Sequence, residues 1–546
     1  MRALLFLVST IMLYATPGLA ISNDDVRAAL ELRFKGDRTG ACIAAGVIDA
    51  GTIATAYYCA DPSSQRPYDD HTAFEIGSIS KTMTAALLAE LIARGEVALS
   101  DPIARLLPPG THVPAFNGHD ITIGQIVTHM SGLPGIPAHY RPPDINNPYA
   151  AVTERDLLDA LAETKLTREP GAKWEYSNFA MMMLSYALAK RAGKDSETLL
   201  HERLLVPLGM TETYVAHRPA QVRAAQGHLP NTTPTSPWDF PPDMAGVGGV
   251  RATLPDMLRY LEGQLGTRES TITPALAQTQ AQIADVDGHR MGMNWSLFTR
   301  NGRTIIVHEG GTGGFSSYAG VDRATKRAVV LLCDTALTST GGLGQLGTHL
   351  LDPSASAGAP RVVATADAKL IDALVGKYRL KGGLGMELRH KGSSLTIQAD
   401  GQPEFEMGYD SAGDFYPREF DALLRPKRKA DGTYTFTWFQ LGGVADAEQI
   451  GTRPAAAKWS PSEDQLKDYI GNYPLTPGFA LRIFSTDTKL FVQGTNQRPL
   501  ELASVERDVF VAESVAAEID FERDANDKVV ALTLKQRGQV LKGERR

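Results

Sequence analysis

Three short stretches carry side chains suited to acyl-transfer chemistry. In Phe74-Glu75-Ile76-Gly77-Ser78-Ile79-Ser80-Lys81, a serine and a lysine stand three apart at the predicted start of a helix. That spacing puts both on one helix face, a turn apart, so the amine reaches the hydroxyl. A serine hydroxyl is a poor nucleophile near neutral pH and needs a neighbouring base, which a partly desolvated lysine supplies. The helix N-terminus adds a backbone N–H and a positive dipole end beside a reacting carbonyl. Taken alone, Ser-x-x-Lys is weakly specific, because both residues are common. Further on, Glu175-Tyr176-Ser177-Asn178 follows the turn-forming Pro170-Gly171. A tyrosine there shuttles protons if a nearby cation lowers its pKa, and an asparagine orients a substrate amide. His308-Glu309-Gly310-Gly311-Thr312-Gly313-Gly314-Phe315 ends a predicted strand. Its glycines let an edge strand approach an acyl group and donate backbone N–H groups to it. Singly, His308 reads as a structural histidine and Tyr176 as a core or surface tyrosine.

Together, the order Ser78-x-x-Lys81, Tyr176-x-Asn178, His308-x-Gly310 resembles the penicillin-recognising serine hydrolases. Within them it is most similar to the class C β-lactamase group, which includes DD-peptidases, D-aminopeptidases and family VIII carboxylesterases. Ile126-Val127-Thr128-His129-Met130-Ser131-Gly132-Leu133-Pro134 and Ala245-Gly246-Val247-Gly248-Gly249 support the resemblance. It covers roughly residues 25 to 350. It implies Ser78 as nucleophile, with Lys81 and Tyr176 sharing the general-base and general-acid work. Asn178 would hold the substrate's amide side chain, the N–H groups of Ser78 and Gly311 would form the oxyanion hole, and His308 and Gly310 would line the site. The implied reaction acylates Ser78, protonates the leaving group through Tyr176 and ends in hydrolysis by water, with no cofactor and no metal. His308-Glu309 lacks the second histidine of a zinc helix motif, and no Cys/His set has zinc spacing.

The third motif departs from the family's Lys-Thr-Gly. A histidine offers a cation to a substrate carboxylate only near or below its reference pKa of about 6.5, so carboxylate-selective recognition is weakened. Glu309 alternates to the strand's other face from His308. The readings are therefore an exported acyl-serine hydrolase cleaving β-lactams or D-amino-acid peptides, a carboxylesterase using the same site, and a catalytically silent protein binding a ligand or cell-wall polymer. The partner is a small-molecule or peptide substrate. A net charge of −7 gives no electrostatic case for nucleic acid or an anionic membrane surface.

Several elements position these residues. Helices are expected over Ser78–Arg94, Phe179–Ala192 and Met257–Leu265, the last begun by the cap-then-acid pair Thr253 and Asp256. Strands are expected at 304–309, 315–321 and 327–333, with a hairpin from Cys42 to Cys59 around Ala50-Gly51. The fold class is thus an α/β (α+β) domain with one antiparallel sheet flanked by helices. If the turn pairs Asp49 with Thr52, Cys42 falls across from Cys59 at a non-hydrogen-bonded pair, where strands approach closest. A cross-strand disulfide fits an oxidising compartment. The alternative is two unpaired buried thiols. Cys333 reads as a buried strand residue.

Residues 1–20 carry the marks of a signal peptide: Arg2, an apolar run over Leu4–Tyr14, and small residues at Gly18 and Ala20. That run is too short to span a bilayer, so the expectation is a secreted or periplasmic protein with no transmembrane anchor. The hydrolase domain is placed at 21–353, with an Ala/Ser/Pro/Gly-rich linker at 354–369. Short alternating strands then repeat at an offset of 95 positions. Gly376 and Tyr378 match Gly471 and Tyr473, and Leu388, Leu395 and Ile397 match Ile483, Leu490 and Val492. Two all-β units, barrels or sandwiches, are expected at 370–453 and 464–546 with a linker at 454–463. They resemble the lipocalin-like barrels of D-aminopeptidase.

Overall fold

The computed structural model describes residues 21–546 apart from 65, 67, 138, 139, 441, 442, 452–460, 487, 488, 513, 514, 516, 537 and 538. The expected signal peptide and most of the second expected linker lie outside the described residues. Among the described residues, no helix is long and apolar enough to cross a membrane.

The region up to about residue 353 is built on one antiparallel sheet of eight strands. Across it run Thr52–Cys59, Cys42–Asp49, Arg327–Cys333, Ser316–Asp322, Arg303–Gly311, Ser296–Arg300, His289–Met291 and Ala284–Val286. The first hairpin turns through Ala50 and Gly51, both at positive φ, and pairs Asp49 with Thr52 and Cys42 with Cys59. The Cys42 and Cys59 sulfurs are bonded. Cys333 is a buried free thiol. The sheet is wider than the sequence suggests: the three strands between 284 and 300 are too short and mixed in polarity to show a period.

Helices cover both faces. Along Arg327–Cys333, Ala328, Val330 and Leu332 join one core, and Val329, Leu331 and Cys333 join the other. A strand buried on both sides reads as an unbroken apolar run. The first core takes Ser80–Ala93, Asn178–Ala192 and Leu254–Leu265; the second takes Asn23–Phe34 and Gly344–Leu351. Asn178–Ala192 is capped by the Ser177 hydroxyl on the Ala180 N–H and stopped by Gly193 in the left-handed region. Its residues Phe179 to Ala189 are all buried, so its apolar character runs all the way round.

The chain divides into two compact units. One runs to Leu374 and again over Arg379–Glu448; the other joins Val375–Tyr378 to Gln449–Arg546. Later in the chain comes a closed barrel of eight strands, Gly376–Leu380 through Gly443–Gly451. A second eight-stranded sheet, Gly471–Thr476 through Gln539–Glu544, curls nearly shut, with Arg546 N–H donating to the Asn472 carbonyl. Adding 95 to the bounds of each strand in the first copy lands within two residues of the second at every end: Ser394–Ala399 maps onto Lys489–Gly494, and Leu423–Arg428 onto Ala517–Arg523. The second copy packs its own core, including Tyr469, Tyr473, Phe510 and Phe521.

The 354–369 segment is pinned rather than free. Arg361 is buried and bonds Asp410 at 3.1 Å and Asp414 at 2.8 Å on the first barrel. Arg38, which follows the first helix Asn23–Phe34, reaches the same Asp410 at 3.0 Å and lays its guanidinium over the Tyr416 ring.

Candidate active site

Ser78 lies in a 3-10 turn, Gly77–Ile79, that opens directly into the helix Ser80–Ala93. Gly77 takes φ +50°, and a side chain on it would strike the backbone of Gly311 at 2.7 Å. A side chain on Gly310 would strike the Ile76 carbonyl at 2.1 Å. The two glycines therefore admit a backbone-on-backbone contact between the Ser78 turn and the end of the strand Arg303–Gly311. Ser317, opposite Gly310, ties the contact by donating to Ile76 O at 2.8 Å. On its other side that strand pairs with Ser296–Arg300 only as far as Val307. His308 to Gly311 thus overrun their neighbour and leave a strand edge beside Ser78.

An amine and a phenol converge on one hydroxyl. Lys81 Nζ donates to Ser78 Oγ at 2.7 Å and to the Val247 carbonyl at 2.7 Å. Tyr176 also hydrogen-bonds Ser78 through its phenol, and Lys81 Nζ stands 5.1 Å from the tyrosine ring centre. Burial holds the Lys81 amine well below the usual lysine range. Burial also pushes the Tyr176 phenol up, outweighing its bond to Ser78. Burial thus favours the uncharged form of both the amine and the phenol. The sequence suggests a tyrosine whose pKa a nearby cation lowers; in this pocket burial dominates and the phenol's pKa is raised.

His308 is buried, and its Nδ1 lies 2.7 Å from its neighbour's carbonyl, Glu309 O. A carbonyl only accepts, so Nδ1 carries the proton and Nε2 is left as an acceptor. Burial, with a smaller contribution from Lys81, pushes its pKa down to about 3. The sequence suggested a cation that appears near pH 6.5; the structure gives a neutral ring throughout the physiological range. Glu309 turns to the other face, its carboxylate accepting the backbone N–H groups of Leu343 and Gly344 at the start of Gly344–Leu351.

Asn178 faces the rim, donating to the Tyr149 hydroxyl at 3.2 Å. Tyr149 stacks on Phe240 and meets Trp238 edge-on. Asn147 and Asp239 exchange hydrogen bonds of 3.0 and 2.8 Å, joining the two loops that bear these rings. Ser78, Lys81 and Tyr176 thus come together, with His308, Gly310 and Gly311 along one edge and Asn178 on another.

Two contributors carry no signal in side-chain type. Val247 acts through its carbonyl, which only the fold places over Lys81. His129 lies in a stretch that the sequence marks, yet its part is visible only in three dimensions: it is buried at φ +58°, its Nδ1 accepts the Ser177 N–H at 3.2 Å, and its ring lies 4.3 Å from that of Tyr176.

The family model described as Beta-lactamase matches residues 27–345, and that described as Domain of unknown function (DUF3471) matches 455–545. The chain is 33% identical over 304 residues to the D-alanyl-D-alanine-carboxypeptidase/endopeptidase AmpH of Escherichia coli (strain K12), covering 50% of this chain and 75% of that protein. It is 26% identical over 337 residues to penicillin-binding protein 4 of Amycolatopsis lactamdurans, covering 57% and 85%. The octameric penicillin-binding protein homologue from Pyrococcus abyssi shares the fold at a TM-score of 0.51 and 16% identity, over 87% of this chain and 98% of that one.

Proposed function

Because the chain belongs to the beta-lactamase family of serine hydrolases, we propose that it is an exported enzyme cleaving amide bonds in peptides with D-residues through an acyl-enzyme on Ser78. The observation that carries this reading is the 2.7 Å contact to the Ser78 hydroxyl from a buried Lys81 that has no carboxylate partner among the described residues. In the proposed cycle Lys81 takes the Ser78 proton as Oγ attacks the carbonyl. The N–H groups of Ser78 and Gly311 hold the oxyanion. The intact Tyr176 phenol protonates the leaving nitrogen, and its proton is replenished from Lys81. Water then attacks the ester, with the same groups acting in reverse. Asn178 holds the substrate amide, and His308 accepts a hydrogen bond through Nε2.

The AmpH relative, a D-alanyl-D-alanine carboxypeptidase and endopeptidase by name, supports the D-peptide class. A neutral His308 offers no charge to a terminal carboxylate, which favours internal bonds over terminal ones and weakens the β-lactam reading. The same observation favours one second reading, a carboxylesterase. Export rests on the signal-peptide pattern of residues 1–20, and we read the two β units as separate domains following the hydrolase at 21–353. The test is a side-by-side panel of an internal D-Ala cross-linked peptide, a terminal D-Ala-D-Ala peptide, a chromogenic cephalosporin and a short-chain p-nitrophenyl ester. The internal peptide is expected to turn over fastest, and Ser78→Ala to lose all turnover along with fluorophosphonate labelling. Preferential ester turnover would replace the amidase reading with the esterase one.

A further inference from the structure

Two segments of the hydrolase region grip the turn that follows Gly311. On one side, His228 N–H donates to Gly314 O at 3.1 Å, and Gly227 lies so near Gly314 that a side chain on it would meet Gly314 Cα at 3.0 Å. On the other, Leu337 N–H donates to Ser316 Oγ at 2.8 Å, and Ser316 is the ladder partner of Gly311. Thr338 stands beside Gly311 itself, 3.3 Å from the position a Cβ would take.

Both segments are held in turn by one loop of the first barrel, the connection from Phe415–Pro417 to Leu423–Arg428. Its Arg418 carbonyl accepts from Asn231 Nδ2 at 2.8 Å, in the tight turn continuing from His228. Its Asp421 carboxylate accepts from Ser339 Oγ at 2.5 Å, next to Thr338. Ser339 is buried. The barrel is itself fastened through Asp410 and Asp414 to Arg38 and Arg361. We propose that the first barrel is part of the catalytic apparatus, and that Asp421 is a positioning residue which, through Ser339, fixes the Gly311 backbone against Ser78.

The proposal rests on the reading of Ser78 as nucleophile and Gly311 as oxyanion donor. A brace on that edge acts on transition-state geometry, so its loss lowers kcat and leaves KM in place. Asp421→Ala is expected to slow p-nitrophenyl ester turnover roughly tenfold at unchanged KM, less than the ~10²–10³ that follows outright loss of one oxyanion donor. Asp421→Asn keeps an acceptor for Ser339 and is expected to restore the rate, and Ser339→Ala to reproduce the loss. Backbone amides of residues 310–316 are expected to exchange hydrogen faster in Asp421→Ala. Wild-type rate and unchanged exchange in Asp421→Ala and Ser339→Ala overturn the brace. An Asp421→Asn protein as slow as Asp421→Ala overturns the hydrogen bond as its means. Should Asp421→Ala fail to fold, Ser339→Ala, which removes one hydroxyl, carries the test. If the wild-type protein is not acylated at all, the functional reading fails, and the exchange measurement alone decides the brace.

Discussion

Two basic side chains are buried in this molecule under opposite conditions. Lys81, in the pocket, is given a hydroxyl and a carbonyl as partners, and no carboxylate stands within ion-pair distance of it among the described residues. Arg361, at the seam between hydrolase and first barrel, is given two carboxylates at 2.8 and 3.1 Å. Burial without an anion drives an amine to its neutral form, whereas a guanidinium stays charged and must be paired. In one region desolvation lowers an amine's pKa, as the proposed base requires; the other supplies anions so that a cation can serve as a fastener. The same burial therefore has different meanings, decided by whether a carboxylate is built in beside it.

The contrast can be broken from either end. Lys81→Ala removes the proposed base and is expected to slow acylation by ~10²–10⁴-fold, read as the rate of fluorophosphonate labelling. At the seam, Asp410→Val leaves Arg38 short of its anion and Arg361 with one partner, and is expected to cost about 3–5 kcal/mol, read by urea unfolding. The pH dependence sharpens the same comparison. Neutral Lys81 persists above its lowered pKa, so the acylation rate is expected to fall as pH drops through that value. The folded chain also binds fewer protons at Lys81 than the unfolded chain, so this group's contribution makes stability rise with pH up to the ordinary lysine range. Least of all, His308→Gln is expected to leave the acid limb of the pH–rate profile where it is, since a ring pushed down to about 3 does not titrate there. An acid limb that moved with this substitution would assign it to His308 instead of Lys81.

The two β units sharpen the point about the seam. At the offset of 95, Asp410, Asp414 and Asp421 of the first copy correspond to Val505, Val509 and Ala516 of the second. The strand plan is shared, but the second copy has no carboxylate at those three positions. Phe521→Ala, in the core of the second copy, is accordingly expected to destabilise that copy by ~3–5 kcal/mol, seen as an earlier unfolding transition, while the Ser78 acylation rate holds.

What was legible in the sequence was local or periodic. Ser78 and Lys81 are one helical turn apart, the hairpin register follows from a two-residue turn, and the duplication survives because apolar alternation is kept at constant offset. What was hidden depends on backbone groups and distant segments. The carbonyl of Val247 has no residue-type signature, and the neutrality of His308 follows from burial and a bond to its own neighbour's carbonyl. Asp421 meets Ser339 only because a barrel placed by Arg38 and Arg361 brings them together. The glycines at 310 and 311 were marked as an approach for substrate. They also serve an internal need, room for the Ile76–Gly77 backbone.

The central strand Arg327–Cys333 pairs with Cys42–Asp49, and Gly311 arrives more than two hundred positions after Ser78. As the polypeptide is made from its N-terminus, Ser78 and Lys81 exist long before the backbone on which their turn must lean. Such late pairing slows folding and keeps the sheet open until the last strands arrive. A nascent chain halted short of residue 311 would hold Ser78 without the strand edge that its turn leans on, so the proposed site can be assembled only in a chain made past its midpoint.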